Sequence, residues 1–310
     1  MNDDITQQLL LVGLPSTGKT SFLAGVIHYI ESSKNAKKFK QYKESANTEY
    51  LSKIVKSWLR CEEPERMSSS AGAVKPHIEL FLEETEKSKK IVLEIPDIAG
   101  EAFESQFIHR TLDIDYVEKL KNTTSLMLFI NPTKIESHML INDINLLACE
   151  LELDSRDEKN ILPGKIKINN SGSPQLEDEI VSFSSEKCPT QLILFDLLQN
   201  ELDLIPVRPV LLSIVISAWD KVPQIAENNV TPEDWIQIHM PLFHQYLMAN
   251  PEIITHKVFG VSAQGGDFKN KDEVERLTAM DDACLRIKVQ EGESIHNNIC
   301  APIEWLLNNE

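Results

Sequence analysis

The sequence predicts an α/β fold, a three-layer sandwich around a mostly parallel central sheet. Three observations predict it. Apolar runs of strand length recur along the chain: Leu9–Val12, Ile91–Ile95, Ser125–Ile130, Val210–Ile216 and Lys257–Val261. Helical segments, with apolar residues three and four apart, fall between them. A short polar link, residues 84–90, joins the alternating stretch His77–Glu83 to Ile91–Ile95. That link reads as a hairpin and sets one antiparallel strand beside the parallel ones.

Taken in order, Leu9–Val12 is a short buried strand. Lys19–Ser33 follows as a helix whose Phe22, Leu23, Val26, Ile27 and Ile30 share a face. The stretch 34–43 is basic and expected to be exposed. Tyr50–Leu59, with Leu51, Ile54, Val55, Trp58 and Leu59, is a second helix, and Cys61–Lys75 is turn-rich. After the hairpin, Phe103–Leu120 is expected to be largely helical. Asn131-Pro132 ends the strand Ser125–Ile130. A helix over Gln191–Leu202 precedes Val210–Ile216. Thr231-Pro232-Glu233-Asp234 carries a strong helix start, with Thr231 as cap and Pro232 at the first position. Lys257–Val261 is the last strand and Ile299–Leu307 the closing helix; Trp58, Trp235 and Trp305 sit among apolar residues and are expected in the core. Residues 133–190 break the rhythm. They open with an expected amphipathic helix, His138–Leu151, turn polar, and read as an insertion within a single domain spanning 1–310.

Composition narrows the function classes. The 310 residues carry 48 acidic and 31 basic side chains, a net charge of −17. Such a balance opposes sequence-independent nucleic-acid binding, which needs Lys and Arg on phosphates, and opposes anchoring on anionic lipid. No apolar stretch approaches the ~18 residues that span a bilayer. The N-terminal MNDDITQQ is no secretory signal. Five scattered cysteines without a C-x-x-C pair read as reduced thiols, not as a disulfide framework or a zinc site, and the expected location is cytoplasmic.

The chemistry begins at Gly13-Leu-Pro15-Ser16-Thr17-Gly18-Lys19-Thr20-Ser21. This is G-x-x-x-x-G-K-[ST], the phosphate-binding P-loop, with a strand before it and a helix after. Its backbone N–H groups and the helix N-terminus favour phosphate oxygens. Lys19 suits the β- and γ-phosphates, and Thr20 offers a hydroxyl to Mg²⁺. Beyond the strand IVLEI lies Pro96-Asp97-Ile98-Ala99-Gly100-Glu101. Asp97 there can hold Mg²⁺ through water, and the Gly100 N–H can approach a γ-phosphate. Ser217-Ala218-Trp219-Asp220-Lys221 follows the strand VLLSIVI. Asp220 can accept two hydrogen bonds from guanine, which adenine cannot donate. Val261-Ser262-Ala263-Gln264 ends the last strand, where small residues let backbone N–H groups reach guanine O6.

In this order the motifs resemble the GTPase G-domain of the TRAFAC class: P-loop, D-x-x-G, [NT]-K-x-D and S-A. The resemblance covers most of the chain outside 133–190 and implies a Ras-like P-loop NTPase fold that binds GTP/GDP with Mg²⁺. The long segment after the P-loop with Trp58, the W-D-K element and the closing P-I-E-W-L-L resemble the bacterial double-GTPase group, associated with conflict and defence systems. Two departures stand out. Ser217 and Ala218 replace the usual Asn/Thr and Lys, so Trp219 or Lys221 is left to cover the base. Glu101 replaces the glutamine that orients the attacking water in Ras-like proteins, and its negative charge near a γ-phosphate implies slow hydrolysis without a partner. Arg66 and Ser69 have the R-x-x-[ST] spacing of the internal arginine finger in heterotrimeric G-protein α subunits, which would make Ser69 a Mg²⁺ ligand and Arg66 a charge stabiliser. A solvated loop with a surface arginine is the plainer reading of that stretch, and an exposed helical pair the plainer reading of His109-Arg110. A P-loop ATPase and a non-catalytic nucleotide-binding scaffold remain alternatives to a GTP switch. Effector contacts are expected through 133–190, 34–48 or the loops around Ser69 and Gly100.

Overall fold

The structure is a computed structural model that describes residues 6–32, 38–63, 78–96, 100–136, 188–222 and 230–309. The chain divides into two units, Met1–Ile135 with Thr190–Glu310, and Glu136–Pro189. All elements named below belong to the first.

Five strands run parallel: β1 (Thr6–Val12), β4 (Lys90–Ile95), β5 (Ser125–Ile130), β6 (Val210–Ser217) and β7 (Ile254–Ser262). β1 lies between β4 and β5, with Leu9 opposite both Leu93 and Ser125. β3 (Ile78–Glu84) is antiparallel to β4, and β2 (Phe39–Lys43) extends that edge antiparallel to β3. At the other edge β8 (Lys288–Glu291) and β9 (Ser294–His296) add a second antiparallel pairing and a hairpin. The order is β2-β3-β4-β1-β5-β6-β7-β8-β9. The antiparallel strand expected from the sequence is β3; β8 is another.

Period-two alternation splits the core into two layers. Leu9 and Leu11 face one side, with Met127 and Phe129; there they meet α1 (Lys19–Glu31), α2 (Thr48–Leu59) and α9 (Ala301–Asn308). Leu10 and Val12 face the other, with Leu126, Leu128 and Ile130. That side is covered by α3 (Gly100–His109), α4 (Ile114–Asn122), α5 (Thr190–Leu204), α6 (Pro232–His239) and α7 (Pro241–Ala249). A short α8 (Lys271–Thr278) follows β7.

Local chemistry explains most boundaries. Thr231 and Asp234 form a reciprocal capping box at α6, with Pro232 in its first turn. Pro241 then starts α7 one residue after the α6 cap. The expected helix over Phe103–Leu120 is two helices: Arg110 reverses the backbone at φ 56, and the Asp113 side chain caps α4 by accepting from the Asp115 N–H. The basic stretch 34–43 is corrected in part. Phe39 is 2% exposed and opens β2, so charge alone misread an edge strand. Lys40, Lys43 and an irregularity between Gln41 and Lys43 are the devices that keep such an edge from pairing further.

Trp58 and Trp235 are buried, and Trp305 packs against the first layer. One polar pair is sealed in the second layer, where the Tyr116 hydroxyl donates to Glu201. Burial pushes the Glu201 carboxyl up to about 8, which favours its neutral form. Among the described residues no helix is long and apolar enough to cross a membrane. Cys61, Cys188, Cys284 and Cys300 are buried thiols; Cys149 lies outside the described residues.

Candidate functional site

The loops after β1, β6 and β7 share one edge of the sheet, because the registers Val12↔Leu128, Ile130↔Ile216 and Ser217↔Val261 bring those strand ends side by side. Crevices at the carboxyl ends of parallel strands are where α/β sheets place ligands.

Residues 13–18 leave β1 and wrap back into α1. Ser16 (φ 57) and Gly18 (φ 86) both adopt left-handed backbone conformations. At Gly18 a Cβ would sit 3.0 Å from the Ser217 Cβ, so both conformation and space select glycine there. Thr17 folds inward and its hydroxyl donates to the Leu14 carbonyl at 2.8 Å. The Lys19 ammonium donates to the Gly13 carbonyl at 2.6 Å, the Leu14 carbonyl at 3.0 Å and the Thr17 hydroxyl at 3.1 Å. Burial lowers Lys19 to about 8. A cation held under a ring of backbone groups is the arrangement that takes up phosphate oxygens. Thr20 and Ser21 lie half-buried in the first turn of α1, and Pro15 is half-buried in the loop.

The loop is also held from outside. Asn131, just past β5, donates from Nδ2 to the Ser16 carbonyl at 2.9 Å. Ser217 packs against Gly18 and its hydroxyl reaches the Ile130 carbonyl at 3.3 Å. Gln264, after β7, donates to the Ser21 hydroxyl at 3.1 Å. The sequence marks Ser217 only as a departure from the base-binding motif and gives Asn131 and Gln264 no role at the loop. In the sequence Asn131-Pro132 reads only as a strand terminator.

A second cluster forms where β6 and β7 end. Ala218 (φ 46) turns the chain into a single 3₁₀ turn, Trp219–Lys221. Asp220 is exposed, and the Ser262 hydroxyl donates to its Oδ1. The Ser262 oxygen in turn accepts from the Gly265 N–H at 3.1 Å. Lys221 pairs with Asp267 at 2.8 Å. Ala263 is buried, and its carbonyl accepts from the Trp58 indole N–H at 2.9 Å. That contact ties the second loop to α2 across the first core layer. Behind it, Arg286 is 5% exposed and donates to the Leu59 carbonyl at 3.1 Å and to the Cys61 sulfur at 3.2 Å.

One expectation is corrected. Trp219 does not cover a base. It is 4% exposed, donates to the Gln290 side chain at 2.7 Å, and lies so close to Gly260 that a Cβ there would meet the ring at 2.5 Å. Its bulk is spent on packing β6 against β7 and β8, which leaves Lys221 at the exposed surface. Arg110, at the end of α3, pairs with Asp196 of α5. Gly100 and Glu101 begin α3, though their side-chain surroundings lie outside the described residues. Asp97, Arg66 and Ser69 also lie outside them.

The family model Double-GTPase 1 matches residues 10–306. No curated protein matches the chain in sequence. Among solved structures, the chain is similar to the G domain of the T. maritima FeoB iron transporter, at 13% identity and a TM-score of 0.31, over 89% of this chain and 100% of that one.

Proposed function

Since the chain belongs to the Double-GTPase 1 family and is a P-loop GTPase of the TRAFAC class, we propose that it is a Mg²⁺-dependent GTP switch whose nucleotide lies across the two loop clusters just described. The observation that carries the reading is their shared sheet edge, with the buried Lys19 ammonium at one end and Asp220, oriented by Ser262, at the other.

In this reading Gly13, Pro15, Ser16, Thr17, Gly18, Lys19, Thr20 and Ser21 cradle the phosphates. A phosphate oxygen replaces the loop carbonyls on Lys19 and raises its proton affinity again. Asp220 accepts from the guanine N1–H and 2-amino groups. The Ser262 and Ala263 backbone approaches O6, and Lys221 lies beside the base. The oxygen donors Thr20, Asp97 and Ser69 suit a hard divalent ion and would hold Mg²⁺. Asp97 follows β4, which pairs with β1 on the P-loop side of the sheet. When bound, Mg²⁺ offsets charge on the β- and γ-phosphates. Gly100 offers its N–H to the γ-phosphate. Glu101 accepts the proton of the attacking water but repels the phosphate, which makes unassisted turnover slow, and Arg66 offsets charge at the transferring group. Loss of the γ-phosphate then releases the segments around Ser69 and Gly100. Their partner is an effector protein met there or through residues 133–190, in the cytoplasm and within a bacterial defence system.

Calorimetry with Mg²⁺-GTP, Mg²⁺-ATP and the diphosphates tests base choice, with Asp220→Asn as the discriminating variant. Guanine binding should fall and xanthine binding appear. ATP binding unchanged by that variant, with no preference for GTP in the parent, would leave an ATPase as the better reading. Single-turnover phosphate release tests hydrolysis; no release over hours, with or without added partners, would leave a nucleotide-binding scaffold.

A further inference from the structure

We propose that His28, Asp282 and Cys284 form a zinc site on the flank of α1, separate from the nucleotide site. Their donor atoms (an imidazole nitrogen, a carboxylate oxygen and the sulfur) all lie within 4.8 Å of one another, although more than 250 positions separate the first from the other two. His28 stands in the last turn of α1, its ring 5.4 Å from the Trp58 ring. Asp282 and Cys284 open the 3₁₀ turn Ala283–Arg286, where the Asp282 Oδ1 accepts from the Cys284 N–H at 2.9 Å. That bond orients the Asp282 carboxylate against the backbone of the turn that carries Cys284.

Donor chemistry selects the ion. Mg²⁺ and Ca²⁺ take oxygen ligands, whereas imidazole and thiolate favour zinc. Zinc ligands at about 2.0–2.3 Å stand roughly 3.3–3.8 Å apart in a tetrahedron, so ordinary side-chain rotation by about 1 Å closes the set. Burial divides the site usefully: Cys284 is 3% exposed, while His28 and Asp282 are half-buried. The sulfur is the buried donor, and a three-ligand set leaves zinc's fourth position to a water molecule. Thiolate and carboxylate together balance the 2+ charge. The site would fasten the far end of the helix that begins at Lys19 to the turn whose Arg286 holds α2. Zinc therefore bears on the frame of the nucleotide site without touching nucleotide.

The test uses the full chain, stripped with chelator and titrated with Zn²⁺ against a chromophoric chelator, then with Co²⁺. One zinc per chain is expected, with a thiolate-to-cobalt charge-transfer band in the Co²⁺ form. Cys284→Ser should abolish that band and weaken zinc more than tenfold; His28→Ala should weaken zinc by a similar factor; Cys300→Ser should change neither. Circular dichroism checks that each variant folds. Absence of the thiolate band from the parent chain overturns the site whatever the variants do. Zinc retained with unchanged affinity by folded Cys284→Ser also overturns it, since the ion then sits elsewhere.

Discussion

The phosphate end and the base end of the nucleotide site are built in opposite ways. At the phosphate end a single run of nine residues, 13–21, supplies the loop, the lysine and the hydroxyls, and the Lys19 contacts are made to its own loop. At the base end the contacts that set the recognition groups reach far along the chain. Asp220 is set by Ser262, 42 positions on; Ala263 is held by Trp58, 205 positions back; and Lys221 is paired with Asp267. One end is a local backbone structure that Asn131, Ser217 and Gln264 buttress from outside. The other is a tertiary assembly whose geometry depends on strand register and on side chains that would never touch nucleotide.

That contrast orders the expected effects. Lys19→Ala removes the buried cation and should weaken GTP and ATP alike, by a hundredfold or more, about 3 kcal/mol for a charge-assisted contact. Calorimetry decides, and a loss confined to guanine nucleotides would break the contrast. Asp220→Asn should cost GTP about tenfold to a hundredfold and leave inorganic triphosphate binding unchanged. A change in triphosphate binding would show that the two ends are not separable.

Acidity sharpens the point. Lys19 sits near 8 and phosphate contact raises it. Above about pH 8, binding therefore takes up a proton and GTP affinity should fall by up to about tenfold per pH unit, while below 8 this contribution is flat. The same slope is expected in Asp220→Asn and none in Lys19→Ala, as competition titrations from pH 7 to 9 would show.

The smallest effect tests the indirect contacts. Trp58→Phe loses the N–H to the Ala263 carbonyl and leaves part of the buried indole space unfilled, which should weaken GTP about three- to tenfold, chiefly through faster dissociation. Stopped-flow release of a fluorescent GDP analogue measures it. No change would mean that the base loop holds its shape without α2.

The same contrast explains what the sequence could reveal. The P-loop was legible because its whole geometry is encoded in adjacent residues, down to the left-handed turn at Gly18. The sheet was legible because Leu9–Val12, Ser125–Ile130 and Val210–Ile216 are apolar on both faces, as central strands buried on both sides must be. β2 was hidden behind its lysines, and β8 and β9 are too short and polar to carry a pattern. Asn131 and Gln264 act only through contacts created by topology, so nothing beside them in the chain marks them. Trp219 was misassigned because its place next to Asp220 said nothing of the space above Gly260.

The indole of Trp58 gives the base end an optical handle. Its N–H is committed to the Ala263 carbonyl, and its ring lies near Arg286 and His28. Loosening of that loop should change the polarity around the ring and the contact with its imidazole neighbour, both of which alter emission. The unlabelled protein thus carries a fluorophore reporting on its base loop, and Trp58→Phe supplies the blank against which Trp219, Trp235 and Trp305 can be subtracted.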